Sequence, residues 1–131
     1  MEVDRRRRRR YRLEGQRQGV CAIAGRTAPL VLHIVDVGAL GILVRVPKAL
    51  TPDWPGLGHL GPATLLFDGE VVVHVEVDVA WVGGERRPGA RRLTAGLRFH
   101  APAREGDALC AYLDALAAEV ADEPELAHAG P

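Results

Sequence analysis

VVVHVEVDVAWV, residues 71–82, alternates along its whole length. Val71, Val73, Val75, Val77, Val79 and Trp81 fall on one face. Val72, His74, Glu76, Asp78, Ala80 and Val82 fall on the other. A period of two with a β-branched face is the pattern of a long strand, dry on one side and largely wet on the other. Trp81 is therefore expected in the core with the valines, although its place near the strand end brings it close to the rim. Glu76 and Asp78 share the wet face and read as solvated acids rather than an acid–base pair.

Flanking segments supply the rest of a sheet. Residues 83–92 (GGERRPGARR) form a basic turn, and 93–100 (LTAGLRFH) the returning strand. Asp68-Gly69 is a turn signal, preceded by a strand over 63–67. Residues 47–62, rich in Pro and Gly and without period, read as a loop. Further strands lie at 42–46 (ILVRV) and 30–35 (LVLHIV). Between them Asp36-Val37-Gly38-Ala39-Leu40-Gly41 is a tight connection in which at least one position is expected at positive φ. Five or six antiparallel strands around a Val/Leu core predict a closed barrel, because closure removes exposed edges.

Past Pro102 the period changes. Leu109, Tyr112, Leu113, Leu116 and Val120 recur at three and four, with alanines between, which predicts an amphipathic helix. Pro102 suits its first turn, Gly106 could delay the start to Asp107, and Pro124 ends it. Its apolar stripe packs either on the barrel or on a partner helix across a dimer.

Charge is strongly segregated along a chain whose net charge is zero. Arg5 to Arg10 are consecutive and Arg12 follows, whereas residues 105–125 hold seven carboxylates and no Lys or Arg. Arginine grips phosphate or a guanine edge with a planar fork and stacks on bases, so the basic end points to a phosphate-bearing partner. The boundaries expected are a flexible arginine-rich arm over 1–12, a domain over 13–122 and a frayed acidic tail over 123–131. Cys21 and Cys110 sit in apolar contexts and read as small hydrophobes in a reducing, cytoplasmic setting. No apolar run is long enough to span a membrane, and the arginines are not followed by the apolar stretch of a signal peptide. His33, His59, His74, His100 and His128 lack metal-ligand spacing, with His33 and His74 facing outward. The chain contains no serine, and its threonines have no evident activating partner, so no catalytic residues are assigned.

A basic segment entering the first strand, a D-x-G-x-x-G run, a W-V strand, a G-L-R-F strand and a closing amphipathic helix together resemble the PilZ domain over about residues 5–121. The resemblance implies an all-β fold: a six-stranded antiparallel barrel with a C-terminal amphipathic helix. It also implies a receptor for cyclic di-GMP rather than an enzyme, without cofactor or metal. The family signature, R-x-x-x-R followed by [D/N]-x-[S/A]-x-x-G, carries over to Arg6, Arg10, Asp36, Gly38 and Gly41. Arg8 with Arg12 is the alternative register; Arg10-Tyr11-Arg12-Leu13 best fits the residues that follow the family's second arginine. Gly38 departs from the family's Ser or Ala, and restoring serine is expected to tighten binding. A cyclic dinucleotide presents two phosphates for guanidiniums, a Hoogsteen edge that matches an arginine fork, and N–H donors for Asp36. Expected partners are the dinucleotide and an unidentified protein, with a homodimer as one arrangement, and neither specific nucleic acid nor membrane insertion. An alternative reading is a PilZ-like protein-interaction adaptor that has lost the ligand and uses the apolar surface of its helix.

Overall fold

Seven strands and one helix follow in order in a computed structural model that describes residues 9–25, 28–47, 58–84, 92–104 and 107–121. They are β1 (Arg10–Arg12), β2 (Gly19–Ala24), β3 (Pro29–Gly38), β4 (Gly41–Pro47), β5 (Gly58–Phe67), β6 (Val71–Gly84), β7 (Arg92–Phe99) and α1 (Ala108–Ala121). The sheet runs β3-β2-β5-β6-β7-β4 and closes by pairing β4 back onto β3, every ladder antiparallel. β1 and β2 lie on the same edge of β3, β1 opposite residues 36–38 and β2 opposite residues 29–33. The architecture is the six-stranded barrel with a C-terminal helix that the sequence predicts.

Side chains alternate as the strands require. Ile42, Val44 and Val46 from β4 meet Leu32 and Ile34, Leu65 and Phe67, and Val77 and Leu97 in a core without buried polar side chains among the described residues. Asp68 (φ 54°) and Gly69 (φ 75°) both take the left-handed conformation that a two-residue hairpin turn of the mirror-image type requires.

Two breaks in the alternation matter for function. Leu30, Leu32 and Ile34 point inward, but the β3–β4 register shifts between Ile34 and Asp36. Val35 is the extra residue of this β-bulge, and its carbonyl accepts the N–H groups of Leu13 (2.8 Å) and Glu14 (3.2 Å). The bulge moves Val35 and Val37 into the core and turns Asp36 outward. A second shift lies between Val79 and Trp81 in the β6–β7 ladder. Ala80 is the extra residue there, so the inward set ends at Val79, and Trp81 is 47% exposed. The expectation of a core tryptophan fails for this reason: one inserted residue inverts every side chain beyond it.

Other expectations are corrected in detail. Residues 36–41 are not a six-residue connection, since β3 runs through Gly38 and β4 starts at Gly41. Neither glycine has a positive φ. Arg10 to Arg12, placed in a flexible arm on sequence grounds, form β1; Met1 to Arg8 and residues 122–131 lie outside the described residues, as do most of the basic turn and of the 47–62 loop. β5 extends back to Gly58, and β2 was not singled out by its sequence.

The helix starts late, as Gly106 suggests. The Asp107 carbonyl accepts the first helical N–H from Ala111 at 3.0 Å, and its carboxylate takes the Arg104 N–H at 2.8 Å. Leu109, Tyr112 and Leu116 are buried against the barrel, and Leu113 packs beside them. Tyr112 stacks on Phe67 with ring centroids 4.4 Å apart, a contact worth about 0.5–1.5 kcal/mol beyond area burial. Its hydroxyl donates to Asp68 at 3.1 Å, and burial, with this bond second, pushes the phenol up to about 12. Arg17 ties the same corner together, reaching Glu119 on the helix and Asp68 at 2.8 Å; Glu119 above all raises its pKa, so it stays charged. The stripe is thus satisfied within the chain, and the partner-helix arrangement is not needed to bury it.

Both cysteines are free thiols. Burial pushes Cys21 up to about 12, since the thiolate would lose its hydration, whereas Cys110 is partly exposed. A thiol reagent at pH 8 is therefore expected to modify Cys110 in the native chain and Cys21 only after unfolding. Equal reaction at both positions would contradict the packing of β2.

Candidate functional site

The two bulges bring their outward-turned residues into one cross-strand row. Asp36 on β3 is opposite Leu43 on β4, Leu43 opposite Gly96 on β7, and Gly96 opposite Trp81 on β6. Three strand spacings of ~4.8 Å separate the carboxylate position from the indole position by about 14 Å along the barrel wall. Leu43 and Gly96 form the floor between them. A Cβ built on Gly96 would overlap the Trp81 ring, so the glycine is what lets the indole lie across β7.

Arg10 closes one end of this row. Its Nε donates to Asp36 Oδ1 at 2.6 Å, and one terminal nitrogen approaches the same oxygen at 2.5 Å. The pair is only partly covered, with side-chain exposures of 45% for Arg10 and 22% for Asp36. Such a contact orients the guanidinium plane without removing it from solvent. The next row adds Arg98, exposed and opposite both Gly41 and Asp78. Arg10, Asp36, Leu40, Gly41, Trp81 and Arg98 border a groove of about 380 Å³, within the range of small-ligand sites.

Each of the two register alternatives has one arginine on β1. Arg10 and Arg12 both face outward from β1, but Arg12 turns to Glu14, 3.8 Å away, and does not line the groove. Arg10 does line it. Arg6 and Arg8 themselves lie outside the described residues. Arg9 sits over the Tyr11 ring, 5.4 Å from its centroid.

The two motif glycines are present for space. A Cβ on Gly41 would collide with the Leu97 carbonyl oxygen, so glycine lets β4 and β7 approach at the groove. A Cβ on Gly38 would lie 2.9 Å from the Arg9 carbonyl oxygen and 3.5 Å from Arg10 Cγ. Gly38 pairs with Arg10 in the β1–β3 ladder, so any side chain there pushes β1 away. This reverses the expectation from the family's serine. Gly38→Ser is expected to loosen Arg10 from Asp36 and to weaken ligand binding rather than tighten it. A titration showing tighter binding by the serine variant would contradict this geometry.

Between the glycines, Ala39 is buried and Leu40 exposed. The Leu40 carbonyl accepts the Phe99 N–H at 2.8 Å and the Ala39 carbonyl accepts the Ala103 N–H at 2.9 Å. The turn that borders the groove is therefore bonded directly to the segment leading from β7 into α1.

A larger hollow of about 670 Å³ lies between β6 and the β7–α1 linker, bordered by His74, Glu76, His100, Arg104 and Asp107. His100 is there turned onto carboxylates, with Nε2 2.8 Å from Asp78 and Nδ1 3.7 Å from Glu76. These two acids are thus tied to a histidine rather than simply solvated. No cluster of potential metal ligands occurs among the described residues.

Sequence reasoning missed Arg98 and placed Trp81 in the core. Arg98 was legible as the outward neighbour of Leu97 and Phe99 in LTAGLRFH, once Gly41 was taken as its partner.

No protein-family model matches this chain, and no curated protein sequence does. Among solved structures the fold is similar to MrkH, a c-di-GMP-dependent transcription regulatory factor, with a TM-score of 0.62 and 12% sequence identity. The match covers 88% of this chain and 50% of the other, so this chain spans about half the length of that protein. At this identity the likeness establishes a shared, PilZ-like barrel fold.

Proposed function

We propose that this chain is a receptor domain that binds cyclic di-GMP in the groove between Arg10–Asp36 and Trp81, and that it does so without catalysis. The observation that carries the reading is the single row Asp36, Leu43, Gly96, Trp81, capped at one end by the Arg10 fork. A flat guanidinium and a flat indole at opposite ends of an apolar floor suit purine faces. Asp36 suits the guanine N1–H and amino donors. Arg98 and the arginines preceding Arg10 suit the phosphates. The similarity of fold to a c-di-GMP-dependent regulator supports the same assignment.

Signal transfer has a short route. A ligand that contacts Leu40 and Gly41 presses on the turn whose carbonyls hold Phe99 and Ala103, and so on the entry to the helix. A protein partner would then read the position of α1 or of the arm. The adaptor alternative has less to stand on, because Leu109 and Leu116 are buried against the chain's own barrel.

Calorimetric titration tests the proposal. Cyclic di-GMP is expected to bind with a dissociation constant in the micromolar range or below, while GMP binds far more weakly. Affinity should fall only modestly between low and physiological salt, because part of the recognition is stacking. Equal affinity for any polyanion, vanishing with salt, would instead make the arginines a nonspecific arm.

A further inference from the structure

β1 also borders a separate cleft of about 290 Å³, between the turn that follows it and the last turns of α1. Arg9, Arg12, Gln16, Arg17, Leu116 and Glu119 lie on its border. Arg17 is fixed from within its turn. The Gln16 and Arg17 N–H groups both donate to the Leu13 carbonyl, at 2.9 and 2.8 Å, across Gly15 at φ 85°. One nitrogen of the Arg17 guanidinium is held by Asp68 at 2.8 Å, and another by Glu119. Arg9 lies over the Tyr11 ring, which orients its guanidinium and leaves the N–H edge available. Among the described residues no carboxylate pairs with that edge. Arg12 has Glu14 only at 3.8 Å, and Glu14 turns both of its oxygens to Arg45, one of them at 2.9 Å. Of the described residues on the border, Glu119 is the one carboxylate.

We propose that this cleft binds a small molecule ending in a phosphate group, and that Glu119 is a competitor built into the chain. The Glu119 carboxylate already occupies the place of an anion on Arg17. A second carboxylate, or a phosphate diester, brings a single charge and merely exchanges with it. A terminal phosphate brings roughly two charges at neutral pH, with three acceptor oxygens. It can therefore take the Arg17 nitrogen from Glu119 and engage the forks of Arg9 and Arg12 as well. Those two arginines decide the exchange, because the cleft lies beside the negative end of α1, where an anion is otherwise disfavoured. A cyclic dinucleotide carries only diesters, so it is not the ligand of this cleft. The inference does not rest on the groove: Arg10, already held by Asp36, is the one residue common to both borders.

Titration of the full chain with inorganic pyrophosphate and with uridine diphosphate tests it, read by calorimetry and by the arginine Nε–H resonances. Both are expected to bind saturably in the submillimolar range and to move the signals of Arg9, Arg12 and Arg17, whereas uridine does neither. Equal affinities would identify the phosphate group alone as the ligand; tighter binding of the nucleotide would identify a nucleotide end. Arg12→Ala should weaken pyrophosphate binding about tenfold, as loss of a hydrogen bond to a charged group does. Arg98→Ala removes the same charge at the groove and should leave it unchanged. Glu119→Gln should tighten binding at least about threefold, because the competing carboxylate is gone. A purely structural Glu119 would instead lower the melting temperature with no gain in affinity, and that result overturns the proposal. So does the absence of saturable binding, or an Arg98→Ala variant weakened as much as Arg12→Ala, which would reduce the cleft to nonspecific charge.

Discussion

Replacing Asp36 with alanine is expected to weaken cyclic di-GMP binding at least about tenfold, since truncating one side of a hydrogen-bonded charged contact typically costs ~2–5 kcal/mol when ligand buries it. In the proposed complex the variant would lose twice: the acceptor assigned to the guanine donors disappears, and Arg10 loses the carboxylate that fixes its plane. Arg10→Ala and Arg6→Ala are expected to show losses of the same order, through the fork itself and through the arm. The fold should hardly notice. An exposed ion pair contributes about 0–1 kcal/mol, and Arg10 is 45% exposed, so the melting temperature moves by only a few degrees. Calorimetry and thermal denaturation on the same samples separate the two effects. Undiminished binding by Asp36→Ala would remove the row from the site.

Gly41→Ala is expected to act on the other axis, stability. The added methyl meets the Leu97 carbonyl oxygen, a backbone atom that cannot rotate away. Gly41 also begins the β4–β7 ladder opposite Arg98, one of the pairings that hold the barrel together. Forcing those strands apart strains the barrel and costs about 1–3 kcal/mol, as overpacking does elsewhere. For a domain of this size that corresponds to a fall of roughly 3–15 °C in melting temperature. Ligand affinity falls as well, because the same displacement widens the groove floor. A variant as stable as the parent would show that the strands can part there without strain.

The barrel was legible because its evidence is periodic. VVVHVEVDVAWV could be only a strand, and the change of period at Leu109 could be only a helix. What escaped was the phase. Ile34 and Val35 are adjacent apolar residues, and that adjacency is the trace of a bulge, but in sequence it is indistinguishable from a strand end. At Ala80 there is no trace at all, since Trp81 continues the alternation in sequence while the chain has already inverted it in space. The family pattern singled out Arg10 and Asp36 separately, whereas their contact depends on the β1–β3 pairing and the partnership of Asp36 with Trp81 on register across four strands. Pairwise register of that kind is set by turns and bulges, and no local composition encodes it. Gly38 shows the same gap, because its neighbour is the backbone of residues far back in the chain.

The most direct test of the central claim is a backbone and indole amide spectrum of the isotopically labelled chain, recorded as cyclic di-GMP is added. Saturable shifts are expected at Arg10, at Asp36 through Gly41, at Arg98 and at the Trp81 indole N–H, with Val31 and Val72, at the far ends of β3 and β6 from the groove, unmoved. Shifts confined to the arginines before Arg10, or a Trp81 indole signal that stays fixed at saturation, would contradict a groove closed by Arg10 and Trp81.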